Sequence, residues 1–137
     1  MQDLKGRTAL ITGGTSGIGA ATALAAADAG ANVVITGRRA NEGEKIAEQA
    51  RARGVKAAFV QGDVNDEASI ERAVDQAVRL GGSLDMAFNN AGVELMGVNT
   101  ADASTDDFRR VFDVNVLGVL LCMKHEIRAM LASGAAG

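Results

Sequence analysis

One stretch near the start of the chain limits its possible folds more than any other: residues 12–19, which read TGGTSGIG. It follows a short apolar run and precedes an alanine-rich segment, a pattern that predicts a strand, a glycine turn and a helix. Gly13, Gly17 and Gly19 let the backbone turn tightly and approach a ligand without a Cβ in the way. Because a helix N-terminus with unpaired N–H groups follows, the turn predicts a site for an anion such as a pyrophosphate.

The rest of the sequence alternates strand-like and helix-like segments. The predicted strands cover 8–12, 32–36, 56–61 and 84–89, and the predicted helices cover 20–30, 41–53, about 66–81 and 105–132. This alternation indicates βαβ units and a parallel sheet with helices on both faces. With right-handed crossovers, a strand order of 3-2-1-4 places the glycine turn at the switch point between strands one and four. We expect one doubly wound α/β domain, a Rossmann fold, over residues 1–137.

Charge and composition argue against several classes of protein. A net charge of −3 gives no general attraction to nucleic acid or to an anionic membrane, and no apolar run approaches the roughly 18 residues that span a bilayer. The start of the sequence lacks the apolar core of a secretory signal. The single cysteine, Cys122, suits a reducing cytoplasm, and one histidine and one cysteine leave too few ligands for a metal cage. Cys122 is expected to fill the core, and His125 to be a surface or capping group.

Four motifs occur in an order and at intervals that resemble the short-chain dehydrogenase/reductase family. They are T-G-x-x-x-G-I-G from Thr12, Asp63-Val64, Asn89-Asn90-Ala91-Gly92 and Val114-Asn115-Val116. The resemblance covers essentially the whole chain and implies the N-terminal, cofactor-binding half of a single domain. For the complete protein it implies hydride transfer between a nicotinamide dinucleotide and a carbonyl or alcohol carbon of a small molecule. It also implies a homo-oligomer.

The resemblance assigns cofactor binding to the glycine turn and to the residues that follow three more strands. The candidate residues are Gly13, Thr15, Ser16, Gly17, Ile18, Gly19, Arg38, Arg39, Asp63, Val64, Asn90, Ala91 and Gly92. At a strand end, a carboxylate such as that of Asp63 can accept from an adenine amino group while the next backbone unit recognises the ring edge. The alternative for Asp63 is a cap for the following helix. Ala91 and Gly92 permit the backbone to approach a ribose, and the alternative for this segment is a plain turn.

The residues after the second predicted strand decide which dinucleotide is expected. An acidic residue there would bond the ribose hydroxyls of NAD and repel a 2′-phosphate. Gly37 stands at this position instead, and Arg38 follows with a planar guanidinium that suits phosphate. We therefore expect NADP, with Arg39 as a second phosphate ligand. The alternative is NAD, with both arginines simply solvated.

Asn115 is the candidate catalytic residue. It lies within a predicted helix among apolar residues, a poor place for an amide that competes for backbone bonds. The resemblance makes it the asparagine that holds a proton-relay water. The alternative is a hydrogen-bonded helix residue without a catalytic role.

The family's chemistry also uses a tyrosine proton donor, a lysine that lowers the tyrosine pKa and a serine that positions the substrate oxygen. In family members these three lie C-terminal to the position of Gly137, and this sequence contains no tyrosine. One hypothesis is therefore a fragment of an NADP-dependent dehydrogenase or reductase that is inactive by itself. The other is a stand-alone nucleotide-binding or structural module without catalysis.

Without later elements of the fold, two surfaces are expected to be open. Residues 86–88 would form an exposed sheet edge. The last predicted helix would expose an apolar stripe drawn from Val116, Leu120, Met123, Ile127 and Leu131. Both surfaces favour association with another chain.

Overall fold

A computed structural model describes residues 3–134, which alternate strands and helices. The chain runs through β1 (Thr8–Thr12), α1 (Gly17–Asp28), β2 (Asn32–Gly37), α2 (Ala40–Arg51), β3 (Ala57–Gln61), α3 (Glu67–Gly81), β4 (Met86–Asn89), α4 (Thr105–Phe112) and α5 (Gly118–Ala132). A short 3-10 turn at Thr100–Asp102 precedes α4. Apart from the last predicted helix, the bounds agree with the predicted segments to within a few residues.

The strands form one parallel sheet in the order β3-β2-β1-β4. Thr12, at the end of β1, lies opposite Thr36 of β2 and Asn89 of β4. The carboxyl ends of all the strands therefore meet at one edge of the sheet, where open α/β sheets bind ligands. The predicted doubly wound architecture and strand order are confirmed.

Each face of the sheet carries its own apolar core. On one face, Ile11, Val33 and Ile35 pack against buried alanines of α1 and α2. On the other, Leu10 and Val34 pack with residues of α3 and α5. The alternation of Leu10 and Ile11 between faces follows from the two-residue period of a strand, and it explains why β1 is apolar throughout.

The helix starts are fixed by local hydrogen bonds. The Asp66 side chain accepts from the amide of Ala68 and caps α3. Ser104 and Asp107 form a reciprocal capping box at the start of α4, as their spacing predicts. Ser16 precedes α1 in an extended conformation and makes no such bond, which leaves its hydroxyl for a different partner.

The last helical segment differs from the prediction. The sequence predicts one helix over 105–132, whereas a π-helical turn at Asp113–Leu117 separates α4 from α5. The amide of Gly118 there bonds to the carbonyl of Asp113, five residues earlier. The wider turn carries Asn115, whose side chain bonds outside the helix. Because the apolar period continues through this turn, the sequence pattern gives no sign of it.

Candidate functional site

A cleft with a volume of about 400 Å³ lies at the carboxyl ends of the strands. Its walls come from the glycine turn, from the ends of β2 and β3 and from the segment after β4. Most of the predicted binding residues line it, namely Gly13, Thr15, Ser16, Arg38, Arg39, Asp63, Val64, Asn90, Ala91 and Gly92. The structure therefore brings together residues that lie far apart in the sequence.

Gly17, Ile18 and Gly19 do not line this cleft but form the first turn of α1 beside it. Gly17 has a φ of +55°, which a residue with a side chain rarely adopts. A Cβ on Gly19 would lie 2.4 Å from the carbonyl oxygen of Gly13. The two glycines thus serve different ends, because one permits the backbone conformation and the other the close approach of the helix to the turn.

Asn90 is a support of the glycine turn. Its Nδ2 donates to the carbonyl oxygens of Thr12 at 3.1 Å and Gly13 at 3.2 Å. In return, the buried Thr12 hydroxyl accepts from the amides of Asn90 at 3.0 Å and Ala91 at 3.1 Å. These bonds fix the end of β4 against the end of β1, on the two sides of the switch point.

The arginine that touches the glycine turn is Arg39. Its Nη2 donates to Thr15 Oγ1 at 3.0 Å and to Ser16 Oγ at 2.5 Å. Arg38 also lines the cleft and is exposed to solvent. Its backbone carbonyl accepts from Gln61 Nε2 at 3.0 Å. The sequence predicts Arg38 as the main phosphate ligand and Arg39 as the second one, whereas in the structure Arg39 is the residue that bonds to the turn.

Gly37, at the end of β2, packs directly against the glycine turn. A Cβ at this position would lie 2.7 Å from the Thr15 methyl group. The absence of a side chain at the end of β2 therefore lets the glycine turn pack closely on this strand.

Asp63 lies just after β3 and lines the cleft. Its Oδ1 accepts from the amide of Asn65 at 3.0 Å, while Asp66 caps α3. Ser69 Oγ lies 3.0 Å from the Asp63 amide, from which it accepts, and 2.7 Å from the Asp63 carbonyl, to which it can donate. The cap alternative for Asp63 is therefore not what the structure shows, since that place belongs to Asp66.

Asn115 bonds to the segment that leaves β4. Its Oδ1 accepts from the amide of Val93 at 2.9 Å, and its Nδ2 donates to the Val93 carbonyl at 2.8 Å. The residue is exposed rather than surrounded by apolar groups, and it lies next to Gly92 but does not line the cleft. The two hydrogen bonds resemble those between paired strands, and they join the π-helical turn to Val93 in the wall of the cleft.

Several lining residues were missed by the sequence reasoning. They are Thr36, Gly62, Ser69, Ile70, Val93 and Val114, while Gly37, on which the choice of dinucleotide was based, lines the cleft as well. Gly62 could have been found, because it adjoins Asp63 at a strand end, where glycine allows close approach. Ser69 carries no such signal, since it lies inside α3 and reaches the cleft only through the fold.

Two further structural findings bear on the class of site. Among residues 3–134 there is no group of three or more His, Cys, Asp or Glu placed to hold a metal ion. Within the same residues, no helix has the length and apolar character needed to cross a membrane.

His125 is not a surface group, because its side chain is mostly buried and its Nε2 lies 2.8 Å from Glu67 Oε1.

Several features of the cleft suit an anionic nucleotide. A Cβ at Gly13 would lie 2.9 Å from both the Ala91 Cα and Asn90 Nδ2, so this glycine lets the turn pack closely against the segment after β4. The first turn of α1 lies beside the cleft, and a helix start of this kind has amides without intrahelical partners and a positive dipole end. The arginines after β2 add positive charge, which suits phosphate, and the small residues Ala91 and Gly92 suit close contact with ribose.

Comparison with known proteins agrees with this geometry. The family model for short chain dehydrogenases matches residues 7–137. The 2,5-dichloro-2,5-cyclohexadiene-1,4-diol dehydrogenase of Sphingobium indicum is 40% identical over 137 residues, covering 100% of this chain and 54% of that protein. Secoisolariciresinol dehydrogenase of Forsythia intermedia is 40% identical over 129 residues, covering 93% of this chain and 46% of that protein. The chain thus spans about half the length of these curated relatives.

Solved structures show the same likeness. A short-chain type dehydrogenase/reductase from Mycobacterium marinum matches with a TM-score of 0.92 and 36% identity, over 98% of this chain and 54% of that one. An NAD⁺-bound xylitol dehydrogenase matches with a TM-score of 0.92 and 32% identity, over 98% of this chain and 52% of that one. The glycine turn, the strand order and these matches lead to one conclusion: the chain belongs to the short-chain dehydrogenase/reductase family.

Proposed function

We propose that residues 1–137 are the dinucleotide-binding part of an NADP-dependent oxidoreductase that acts on a carbonyl or alcohol carbon of a small molecule. The observation that carries this proposal is the cleft at the switch point, where the glycine turn, the β2 end and the segment after β4 meet. When bound, the nicotinamide donates or accepts the hydride. The residues of this chain bind and orient the dinucleotide.

Each wall of the cleft has a proposed part in binding. The amides at residues 15–19 and the hydroxyls of Thr15 and Ser16 hold the pyrophosphate. Asp63 and Val64 recognise the adenine, and Ala91 and Gly92 let the backbone contact the nicotinamide ribose. Ile18 is largely exposed beside the turn and is proposed to cover the bound dinucleotide.

The end of β2 supports NADP rather than NAD. Gly37 offers no carboxylate to a ribose 2′-hydroxyl, and two arginines follow it. The contact of Arg39 with Thr15 and Ser16 holds one guanidinium beside the turn. NAD is the second candidate, because the structurally similar xylitol dehydrogenase was solved with NAD⁺ bound.

Calorimetric titration with NADP⁺ and NAD⁺ tests the proposal. We expect NADP⁺ to bind at least about tenfold more tightly, since a charge-assisted hydrogen bond contributes about 1.5–3 kcal/mol. Arg39→Ala should remove most of this difference. Arg38→Asp should favour NAD⁺ by repelling the 2′-phosphate and offering a ribose acceptor.

Arg79→Asp is the matched control for Arg38→Asp, because it makes the same charge change on an exposed position of α3. It should leave both affinities unchanged. A parent chain that prefers NAD⁺ by tenfold would contradict the NADP assignment, and a chain that binds neither dinucleotide would contradict the site itself.

We also propose that the hydride transfer needs residues beyond this sequence. The family's proton donor is a tyrosine, and the chain has none. Both polar atoms of the Asn115 side chain bond to the backbone of Val93, so this residue does not donate a proton to a substrate. The 137-residue chain should therefore bind NADPH without reducing a carbonyl, and turnover in a contaminant-free preparation would contradict this.

The stand-alone, non-catalytic module remains the second candidate function. An open reading frame that continues past Gly137 into a Ser…Tyr-x-x-x-Lys pattern would decide for the oxidoreductase. We propose the cytoplasm as the compartment, because the lone thiol of Cys122 is buried and free.

A further inference from the structure

A buried carboxyl group lies at the contact between α5 and β4. Glu126 is only 2% exposed. Asn89, the last residue of β4, donates from Nδ2 to Glu126 Oε2 at 2.8 Å. Neither residue lines the cleft, yet Asn89 directly precedes the segment 90–92 that does. A carboxyl group this deeply buried requires either a counter-charge or a proton.

Two oxygens at this contact lack a hydrogen-bond partner. They are Glu126 Oε1 and Asn89 Oδ1, both buried. If the carboxyl were ionised, both atoms would be acceptors, and each would bear the desolvation cost of a buried group without a partner. A proton on Glu126 Oε1 turns that atom into a donor, and Asn89 Oδ1 is an unsatisfied acceptor on the same amide that already bonds Glu126 Oε2. Acid and amide then face each other through two hydrogen bonds.

The immediate surroundings offer no counter-charge. β4 contributes Asn89 and no ionisable side chain. On α5, the titratable neighbour one turn earlier is Cys122, a thiol whose pKa is raised chiefly by burial, so that it brings no counter-charge to Glu126. Burial likewise raises the pKa of the Glu126 carboxyl, and the bond from Asn89 opposes this only in part.

The charged side chains of α3 either pair with other residues or, like Asp75 and Arg79, are exposed to solvent. From α3, Glu67 contacts Lys124 and His125, and Glu71 lies 3.7 Å from the His125 ring. In the π-helical turn, Asp113 is exposed to solvent. Within residues 3–134, no basic side chain forms an ion pair with the buried carboxyl. A proton is therefore the remaining way to neutralise it.

We propose that Glu126 is a positioning residue that is held as a neutral acid and closes a reciprocal hydrogen-bonded pair with Asn89. The pair fixes the end of β4, from which the segment 90–92 enters the cleft. The protonation follows from the contact itself. Its effect on dinucleotide affinity rests on the proposed function.

The sign of the pH dependence follows from the raised pKa. The folded state favours the protonated acid, so its stabilising effect is complete below the unfolded pKa of Glu126 and is lost as the pH rises through the folded pKa. Between these two values the unfolding equilibrium should change about tenfold per pH unit. Glu126→Gln removes this dependence, because its amide can make both bonds without a proton.

Infrared spectroscopy with isotope-labelled glutamate tests the protonation directly. At neutral pH the parent protein should show the C=O stretch of a buried carboxylic acid, and Glu126→Gln should lack it. Glu48→Gln, an exposed position on α2, is the matched control and should keep the band. Absence of the band in the parent would mean an ionised carboxyl with another partner, such as a water, and would overturn the proposal.

Unfolding and binding measurements from about pH 5 to about pH 9 supply the second test. The parent should lose stability relative to Glu126→Gln as the pH rises from the unfolded toward the folded pKa of Glu126. Its dinucleotide affinity should fall only when the pH passes the folded pKa and the pair with Asn89 opens. A stability difference that stays constant with pH would overturn the proposal. Failure of the parent to bind any dinucleotide would count against the proposed function and would leave the infrared result to decide the protonation.

Discussion

Gly17 and Gly19 of the glycine turn are needed for different physical reasons. Gly17 has a left-handed φ of +55° with no atom within 4 Å of its would-be Cβ, whereas Gly19 has the Gly13 carbonyl 2.4 Å away. The sequence pattern suggests the same two reasons for both glycines, a tight backbone turn and a close approach without a Cβ. The structure assigns the close approach to Gly19 and the backbone conformation to Gly17.

The first prediction separates these two causes. Gly19→Ala should weaken dinucleotide binding at least tenfold, because the methyl group must push the turn or the Asn90 amide aside. Gly17→Ala should lower stability by about 1–2 kcal/mol through strain. Calorimetric titration and urea unfolding measure the two effects.

Gly54→Ala is the matched control for Gly17→Ala. Gly54 has a φ of +85° and open space around it, far from the cleft. It should lower stability by a similar amount and leave affinity unchanged. Full affinity in a folded Gly19→Ala variant would remove this glycine from the site.

At the scale of elements, Asp85 joins the start of β1 to the approach to β4. Its Oδ2 accepts from the amide of Thr8 at 2.8 Å and from Ser83 Oγ at 2.9 Å, and its Oδ1 accepts from Arg7 Nη1 at 2.9 Å. Burial by itself pushes the pKa of Asp85 up, but the hydrogen bonds from Thr8, Arg7 and Ser83 together lower it.

The second prediction follows from this lowered pKa. The stabilising effect of Asp85 is present above its unfolded pKa and is lost as the pH falls through its folded pKa. Asp85→Asn should therefore cost about 2 kcal/mol near neutral pH and progressively less in acid. Urea unfolding at several pH values measures this.

Asp28→Asn provides the comparison for Asp85→Asn. Asp28 pairs with Arg53 on the surface, with its side chain 55% exposed, and such pairs contribute little. Its replacement should have a small effect at every pH. An Asp85→Asn cost that is equally large in acid would show that shape, not charge, holds this joint.

Elements were easier to predict from the sequence than the contacts between them. Apolar runs and glycines mark β1 and α1, because burial and backbone freedom are local properties. The bond between Thr12 and the amide of Asn90 joins residues 78 positions apart, and no local pattern encodes it. The π-helical turn was also missed. It occurs together with the bonds of Asn115 to Val93, which join residues 22 positions apart, and the apolar period of the sequence continues through it unchanged.

The two arginines after β2 could be located from the sequence, but the directions of their side chains could not. The Gly37-Arg38-Arg39 sequence predicts a phosphate-binding end of β2. Which guanidinium bonds the glycine turn depends on the direction in which each side chain leaves the backbone, and consecutive residues diverge. Arg39 makes that contact, and the sequence alone could not choose between the two.

At the scale of the molecule, one apolar surface stands out. We define the α5 stripe as the exposed side chains of Leu120, Met123, Ile127 and Leu131 of α5, together with Val116 of the preceding π-helical turn. Their spacing places them on one side of the helix. β4 adds an open sheet edge, where Phe88 is 38% exposed. The expected open surfaces are both present.

The last prediction is that the 137-residue chain self-associates at low micromolar concentration. Leu131 is 72% and Leu120 60% exposed, and burying such side chains contributes about 1.5–3 kcal/mol each. Contiguous apolar surface of this kind is uncommon on a soluble monomer. Sedimentation velocity measures the association, and we expect Leu120→Lys with Ile127→Lys to shift the chain toward monomer.

The control for that double variant adds the same charge at a different place. Gln49 and Ala52 are exposed at the end of α2, so Gln49→Lys with Ala52→Lys changes net charge equally without touching the α5 stripe. It should leave association unchanged, which separates apolar contact from general charge repulsion. A parent chain that sediments as a compact monomer and binds no hydrophobic dye would show that the α5 stripe does not drive association.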